Sequence, residues 1–223
     1  RDLHSFPTRR SSDLADGKTL KNSEDIFDVI LAKCKKYGIK AFIDIHSPDA
    51  NNSGHDYELW YGKAGVTTQV WIDSLVWMAD KYKNDDTLIG FDLKNEPHGK
   101  RGYSADVPEK LAKWDDSTDE NNWAYAATTC ANAILEVNPN ALIFIEGVEQ
   151  YPKTDKGYTY DTPDIWDAPA DVSPWYGAWW GGNLRGVKDY PIVPDSGTCQ
   201  IGRATSELQS PSYLVCRLLL EKK

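Results

Sequence analysis

The chain has 223 residues, with 34 Asp and Glu against 25 Lys and Arg, and therefore a formal net charge of −9 at pH 7. That acidity disfavours nucleic acid or an anionic membrane surface as a partner. No apolar run approaches the roughly 20 residues of a membrane-spanning helix, so we expect no membrane partner either.

The two ends differ in character from the rest of the chain. Residues 1–14 and 201–223 resemble translated sequencing-adaptor DNA, and we predict that both segments are non-native. Residues 15–200 are predicted to form one domain or part of one. Cys34 and Cys130 fall on predicted helices and are expected to be buried thiols. No ligand spacing indicates a metal site, and no cofactor is expected.

Helical and strand patterns alternate along the chain. Apolar residues at helical spacing predict a helix over 23–37, with Ser23 as its N-cap and Gly38 as its stop. The elements predicted next, in order, are a strand over 40–46, a helix over 67–83, a strand over 87–96, a helix over 120–137 and a strand over 141–147. This alternation predicts right-handed βαβ units and a parallel sheet.

The predicted connections are of unequal length. Helix-to-strand links have about two to four residues, whereas the strand-to-helix links, 47–66 and 97–119, have about twenty. In parallel α/β folds the long loops at the carboxyl ends of the strands build the active site. The loop lengths therefore predict which edge of the sheet is functional.

Polar side chains stand at or near the carboxyl ends of the three predicted strands: His46, Asn95 with Glu96, and Glu146. The same groups in mid-strand would lie unpaired in the core, at a cost in free energy. We therefore expect these side chains to face the mouth of a barrel. A lone glutamate at a strand end is more often structural, so the role of Glu96 depends on its neighbours.

The segment around Glu96, DLKNEPHG, resembles the Asn-Glu-Pro signature of glycoside hydrolase family 5. The similarity extends to IDIHSPD, to AILEVNPNALIFIEGVEQY and to WWGGNLRGVKDYPI, and so covers essentially residues 18–193. The last segment is similar to the endo-β-1,4-glucanase branch in particular. The resemblance implies an α/β fold, namely a partial TIM (β/α)8 barrel truncated at both ends, with a partial glycoside hydrolase catalytic domain over 15–200.

The resemblance also implies roles for the strand-end residues. Retaining hydrolysis uses two carboxyl groups, one as acid/base and one as nucleophile. Glu96 matches the acid/base, and an acid/base needs a raised pKa at its working pH. Asn95 matches the residue that binds the sugar 2-hydroxyl. His46 matches a histidine of the glucose subsite just before the cleaved bond.

The second carboxylate is harder to assign. Glu146 also ends a strand, which makes it a possible nucleophile. The family carries its nucleophile on the seventh strand, however, and this sequence matches only the third to fifth. We therefore interpret Glu146 as a structural acid and expect the nucleophile to be absent from the chain. The polypeptide by itself is then expected to be inactive.

Tryptophans supply further candidates, since indole rings stack on the flat faces of sugars. Three of the nine fall on predicted helices and are expected in the core: Trp71, Trp77 and Trp123. The other six fall in loops of the functional edge: Trp60, Trp114, Trp166, Trp175, Trp179 and Trp180. Of these, Trp179 and Trp180 are the preferred sugar-contacting residues, followed by Trp60; the open alternative is that half of the six only hold their loops in place.

The sequence thus predicts a β-1,4-glucan hydrolase of the cellulase type, extracellular because its substrate is an insoluble polymer, and acting as a monomer on β-glucan. Three alternatives stay open. The first is another family 5 specificity such as β-mannan, because the subsite loops decide the sugar. The second is a non-catalytic glucan-binding remnant. The third is a chain that does not fold, because an open half-barrel exposes sheet edges and apolar surface.

Overall fold

Helices and strands alternate along the chain, as predicted. The computed structural model describes residues 22–48, 59–99, 111–162, 169–178 and 181–195. The helices within these ranges are α1 (Ser23–Lys36), α2 (Thr68–Tyr82) and α3 (Trp123–Val137). The strands are β1 (Ala41–Asp44), β2 (Leu88–Asp92), β3 (Leu142–Phe144), β4 (Gln150–Pro152) and β5 (Trp175–Gly177).

The first three strands form one sheet in the order β1-β2-β3. Strands β2 and β3 are parallel, with Gly90 opposite Leu142 and Asp92 opposite Phe144. The Ile45 N–H, just after β1, donates to the Asp92 carbonyl at 3.2 Å. The ends of all three strands therefore meet at one edge of the sheet, which confirms the predicted parallel arrangement.

The remaining strands form a separate antiparallel pair. In it Tyr151 of β4 lies opposite Tyr176 of β5. Strand β4 begins six residues after β3 ends. Its pairing with β5 brings the residues that follow β5 back toward the end of β3.

The described residues divide into two compact units. The smaller contains α1 and residues 85–89, and Lys40 Nζ lies 2.9 Å from Asp86 Oδ2 within it. The larger contains α2, α3, β3, β4 and β5, together with the carboxyl-terminal parts of β1 and β2. In the larger unit α2 and α3 pack against each other.

Each helix begins directly after a residue whose side chain accepts a backbone N–H of the first turn. The expectation that Ser23 caps α1 is wrong, because the Asn22 side chain accepts the Asp25 N–H at 2.7 Å and Ser23 is the first helical residue. Helix α3 likewise starts at Trp123 instead of residue 120. There the Asn122 side chain accepts the Ala124 N–H at 3.0 Å. Asparagine and serine are both good caps, so a sequence pattern does not separate adjacent candidates.

The core of the larger unit is formed by the apolar faces of β2, β3, α2 and α3. Its fully buried side chains include Leu75, Phe91, Leu93, Ile134, Ile143 and Ile145. Cys130 is buried as expected, whereas Cys34 is partly exposed. Trp77 was expected in the core and is 50% exposed, because it lies on the outer face of α2. No helix among the described residues combines the length and apolarity needed to cross a bilayer.

Gly90 gives a test of the β2–β3 packing. A Cβ at this position would collide with the Leu142 carbonyl oxygen and lie 2.8 Å from the Leu142 Cβ. We expect Gly90→Ala to lower the free energy of unfolding by about 1–3 kcal/mol, because the strands must separate. Urea denaturation measures the change.

The matched control for this substitution is Gly177→Ala in β5. A Cβ there would meet only the Gln150 side chain, at 3.4 Å, so little change is expected. Equal losses for the two variants would show that close strand contact is not what requires glycine at position 90.

Candidate active site

Glu96 stands four residues after the end of β2 with an unusual backbone conformation. Its φ is +46°, and among the described non-glycine residues only Ala64 is also in this left-handed region. Such a conformation costs a β-carbon-bearing residue about 1–3 kcal/mol and persists only where neighbouring contacts impose it. The contact that does so here comes from Glu146, whose Oε2 accepts the Glu96 N–H at 2.7 Å.

Glu146 stands two residues after β3 and is fully buried. Burial, followed by the nearby carboxylate of Asp92, raises the pKa of Glu146 to about 10. Its carboxyl group is therefore protonated at neutral pH, and the proton removes a charge that burial would penalise. A buried, neutral acid engaged with a backbone N–H suits a structural role better than that of a nucleophile, which must be ionised and reach the substrate.

Asp92 and Lys94 lie directly beneath the strand ends, and both side chains are buried. Burial, and secondly the Asp44 carboxylate, raises the pKa of Asp92 well above its usual range, while Lys94 acts in the opposite direction. Lys94 Nζ donates to the His46 carbonyl at 3.1 Å and also to the Asn95 carbonyl. One ammonium group therefore connects the segments that follow β1 and β2.

His46 and Asn95 lie close to Glu96 along the same edge. The His46 side chain is 52% exposed, and its Nδ1 lies 3.2 Å from Asp44 Oδ2. Asn95 is half-buried, and its N–H donates to the Ile45 carbonyl at 3.0 Å. The ends of β1 and β2 thus bring together three of the predicted site residues.

Two tryptophans of the helices hold the backbone of the strand ends. Trp71 of α2 donates its indole N–H to the Leu93 carbonyl at 2.9 Å. Trp123 of α3 donates its indole N–H to the Glu146 carbonyl at 2.8 Å. Both side chains are buried, as predicted. Their positions on the helices therefore serve the site indirectly, because they hold the carbonyl of Leu93, three residues before Glu96, and the carbonyl of Glu146 itself.

The burial of Trp60 differs from its predicted exposure. This residue was predicted to be an exposed loop residue that stacks on sugar, but its side chain has 0% exposure. Its ring lies 5.0 Å from the Trp123 ring and 6.0 Å from the Trp71 ring, between centroids. A ring enclosed by other indoles has no face for a sugar, so Trp60 belongs to the core. Trp114 and Trp175, also predicted in loops of this edge, are buried as well.

Trp166, Trp179 and Trp180 lie outside the described residues. The next described residue, Gly181, packs directly on Glu146. Its φ is +62°, and a Cβ there would collide with the Glu146 carboxyl group. The Gly181 carbonyl also accepts the Gly147 N–H at 2.6 Å. The segment after β5 is thus anchored beside the strand ends.

Sequence reasoning did not identify Asp92, Lys94, His98 or Glu149 as part of this site. The latter two are largely buried, with 13% and 4% side-chain exposure, and contact each other through His98 Nε2 and Glu149 Oε2. A charged residue inside an apolar strand, as in FDLK, is a signal that could have been read, because a buried charge requires a partner. Glu149 carries no such signal in the sequence.

The raised pKa of Glu146 predicts how stability depends on pH. The folded protein binds a proton at Glu146 that the unfolded chain releases above the ordinary value of 4.5. Between pH 4.5 and about 10 this group therefore makes the free energy of unfolding decrease with rising pH, by up to about 1.4 kcal/mol per pH unit. In Glu146→Gln, whose amide does not titrate, we expect a flatter profile in urea denaturation between pH 5 and pH 8.

The exposed Glu136 of α3 provides the control, because Glu136→Gln removes a carboxyl group that solvent already surrounds. The stability of Glu146→Gln relative to the unaltered chain is expected to increase with pH, because only the unaltered chain loses stability through this group. A difference that is constant over this range would contradict the raised pKa.

Comparison with known proteins agrees with this arrangement. Residues 8–201 match the family model described as cellulase, glycosyl hydrolase family 5. The chain is 76% identical to Endoglucanase G of Acetivibrio thermocellus over 178 residues, which make up 78% of this chain and 31% of that protein. It therefore spans about a third of the length of this curated relative.

Solved structures show the same likeness. One, of a hyperthermostable endocellulase, superposes with a TM-score of 0.63 at 30% identity, over 86% of this chain and 46% of that one. Another, a Pyrococcus horikoshii endocellulase variant in complex with cellotetraose, gives 0.59 at 31% identity, over 79% of this chain and 42% of that one. The predicted fold class, part of a (β/α)8 barrel, is confirmed. With its parallel strands and Asn-Glu-Pro turn, the chain belongs to the cellulase family, glycosyl hydrolase family 5.

Proposed function

We propose that the catalytic domain to which this chain contributes β1, β2 and β3 hydrolyses β-1,4-glucosidic bonds in cellulose or related β-glucans by a retaining double-displacement mechanism. The observation that carries the proposal is the setting of Glu96: a half-buried carboxyl group beside Asn95, with a strained backbone held by Glu146. Strain of this kind is concentrated at functional sites. The name of Endoglucanase G and the cellotetraose bound to the Pyrococcus enzyme support a glucan as the substrate.

In this mechanism Glu96 acts twice. As an acid it protonates the glycosidic oxygen while the bond to the anomeric carbon breaks. As a base it then removes a proton from the water that releases the glycosyl-enzyme intermediate. Both steps require the carboxyl group at a fixed place, and the hydrogen bond from its own N–H to Glu146 supplies a fixed backbone.

The nucleophile belongs on another strand. Retaining hydrolysis needs a second, ionised carboxylate about 5 Å from the acid/base. Glu146 contacts the Glu96 backbone, but it is fully buried and its pKa is about 10, so it does not fit that role. We infer that a strand other than β1, β2 and β3 carries the nucleophile, as the family resemblance implies.

Substrate-binding residues surround this centre in the proposal. Asn95 binds the sugar 2-hydroxyl, and the exposed His46 contacts the glucose unit just before the cleaved bond. Trp179 and Trp180 are proposed to stack on glucose units. The polymer cannot enter a cell, so we propose that the enzyme acts outside it, as a monomer.

The acid/base assignment predicts a large and specific loss for Glu96→Gln. Because the chain spans about a third of Endoglucanase G, the test uses a chimera in which residues of this chain replace the matching 178 residues of that protein. We expect turnover of cellotetraose to fall by about 10²–10⁴-fold, since an amide neither donates nor accepts the proton. Reducing-end release measures turnover.

Binding provides the internal control for this prediction. The glutamine side chain keeps the shape of the glutamate, so calorimetry is expected to show cellotetraose binding within about three-fold of the unaltered chimera, a far smaller change than loss of general acid catalysis produces. Turnover that stays within the same narrow range would refute the assignment.

Specificity is tested separately, on the unaltered chimera. Hydrolysis of carboxymethylcellulose with little action on β-mannan supports the glucan assignment, whereas the reverse preference identifies a mannanase. Binding without any hydrolysis would indicate a glucan-binding module.

A further inference from the structure

The loops after β2 and β3 are joined by a second buried contact besides the one that Glu146 makes. His98, two residues after Glu96, places its Nε2 against Oε2 of Glu149, three residues after Glu146. Both side chains are largely shielded from water, with 13% and 4% exposure. The other ring nitrogen, Nδ1, lies 2.8 Å from the Gly99 carbonyl oxygen.

The hydrogen-bond partners determine how many protons this pair holds. A carbonyl oxygen only accepts, so Nδ1 of His98 carries a hydrogen and donates it to Gly99. The contact between Nε2 and the Glu149 carboxyl group then requires one more proton between the two side chains. This proton joins the two loops whether it is bound to the His98 ring, which is then an imidazolium, or to the Glu149 carboxyl group. Without it, two electron pairs would face each other in a dry environment.

The two contacts lie on either side of the strained residue. Glu146 holds the N–H of Glu96 itself, and Glu149 holds the side chain of His98, beyond Pro97. The His98 carbonyl also accepts the Ala112 N–H at 2.8 Å, which connects the same turn to the start of the next segment. A positive φ persists only where surrounding contacts impose it, and here such contacts lie on both sides of Glu96.

We propose that His98 and Glu149 are positioning residues for the acid/base: their buried pair keeps the turn that carries Glu96 in the conformation from which its carboxyl group reaches the glycosidic oxygen. This inference rests on the proposed function of Glu96. Neither side chain is proposed to touch the substrate; both act through the backbone of the turn between Glu96 and His98.

A positioning role and a general loss of structure predict different effects on two substrates. A sugar is a poor leaving group and must be protonated as it departs, whereas a dinitrophenolate departs without a proton. A misplaced acid therefore slows cleavage of cellotetraose much more than cleavage of dinitrophenyl β-cellobioside. The parameter to compare is kcat/KM, which covers the steps up to departure of the leaving group.

The test measures both substrates with Glu149→Leu and His98→Leu in the Endoglucanase G chimera. We expect kcat/KM for cellotetraose to fall by about 10- to 100-fold, as misplacement by about 1 Å can produce. For the dinitrophenyl substrate we expect a loss of less than about three-fold, because no proton is needed. The double variant is expected to lose no more than the worse single variant, since either change removes the same contact.

Conservative variants distinguish positioning from folding. In Glu149→Gln the amide N–H can donate to Nε2 of a neutral His98 ring, so we expect substrate selectivity within about three-fold of the unaltered chimera. Glu149→Asp keeps the charge but is one methylene shorter, and is expected to show a selective loss for cellotetraose. This variant decides the question if the leucine variants do not fold. Glu136→Leu, on the exposed face of α3, serves as the control.

The outcomes separate the two proposals. Equal losses on both substrates for a folded Glu149 variant, or no loss on either, overturn the positioning role of Glu149. The acid/base role of Glu96 is unaffected by that result. Glu96→Gln is measured alongside and is expected to show the strongest selectivity for cellotetraose. If Glu96→Gln shows no such selectivity, the proposed function fails first, and the positioning role fails with it.

Discussion

The hydrogen bond from the Glu96 N–H to the buried Glu146 carboxyl group is the constraint on which the site depends. It requires β2 and β3 to be parallel neighbours, because only then do their carboxyl ends place residues 96 and 146 at contact distance. It also requires that the Glu146 side chain stay in the interior, which is possible because the acid is protonated there and carries no charge. In return, the bond holds Glu96 in a left-handed backbone conformation that the residue would not otherwise keep.

The layer beneath this bond contains buried charged residues. Asp92 and Lys94 are both buried there, and the Lys94 ammonium donates to backbone carbonyls on two adjacent segments. The indoles of Trp71 and Trp123 donate to two further carbonyls at the strand ends. The backbone groups that lie past the last strand pairing therefore find partners inside the protein, as buried polar groups must.

The segments after β3 complete the enclosure of Glu146. The pairing of β4 with β5 returns the chain to the strand ends, where Gly181 accepts the Gly147 N–H and packs on the Glu146 carboxyl group. A residue with a side chain at position 181 would need both a left-handed backbone and space that the carboxyl group occupies. The segment after the antiparallel pair thus covers the acid, and burial is the largest cause of its raised pKa.

The sequence by itself determined the order of the elements, the parallel sheet and the edge that carries the site, because hydrophobic periodicity and loop length are local properties of the chain. It also led to Glu96, Asn95 and His46, through a motif that resembles a known family. Trp60 shows where such reasoning stops: a loop position indicated exposure, but the ring is enclosed by two helical tryptophans. Only the tertiary structure decided that Glu146 is neutral and that Lys94, His98 and Glu149 join the loops. Their environments are made by residues some fifty positions apart, as with Glu96 and Glu146, and charge, burial and hydrogen bonding across such distances have no periodic signature in the sequence.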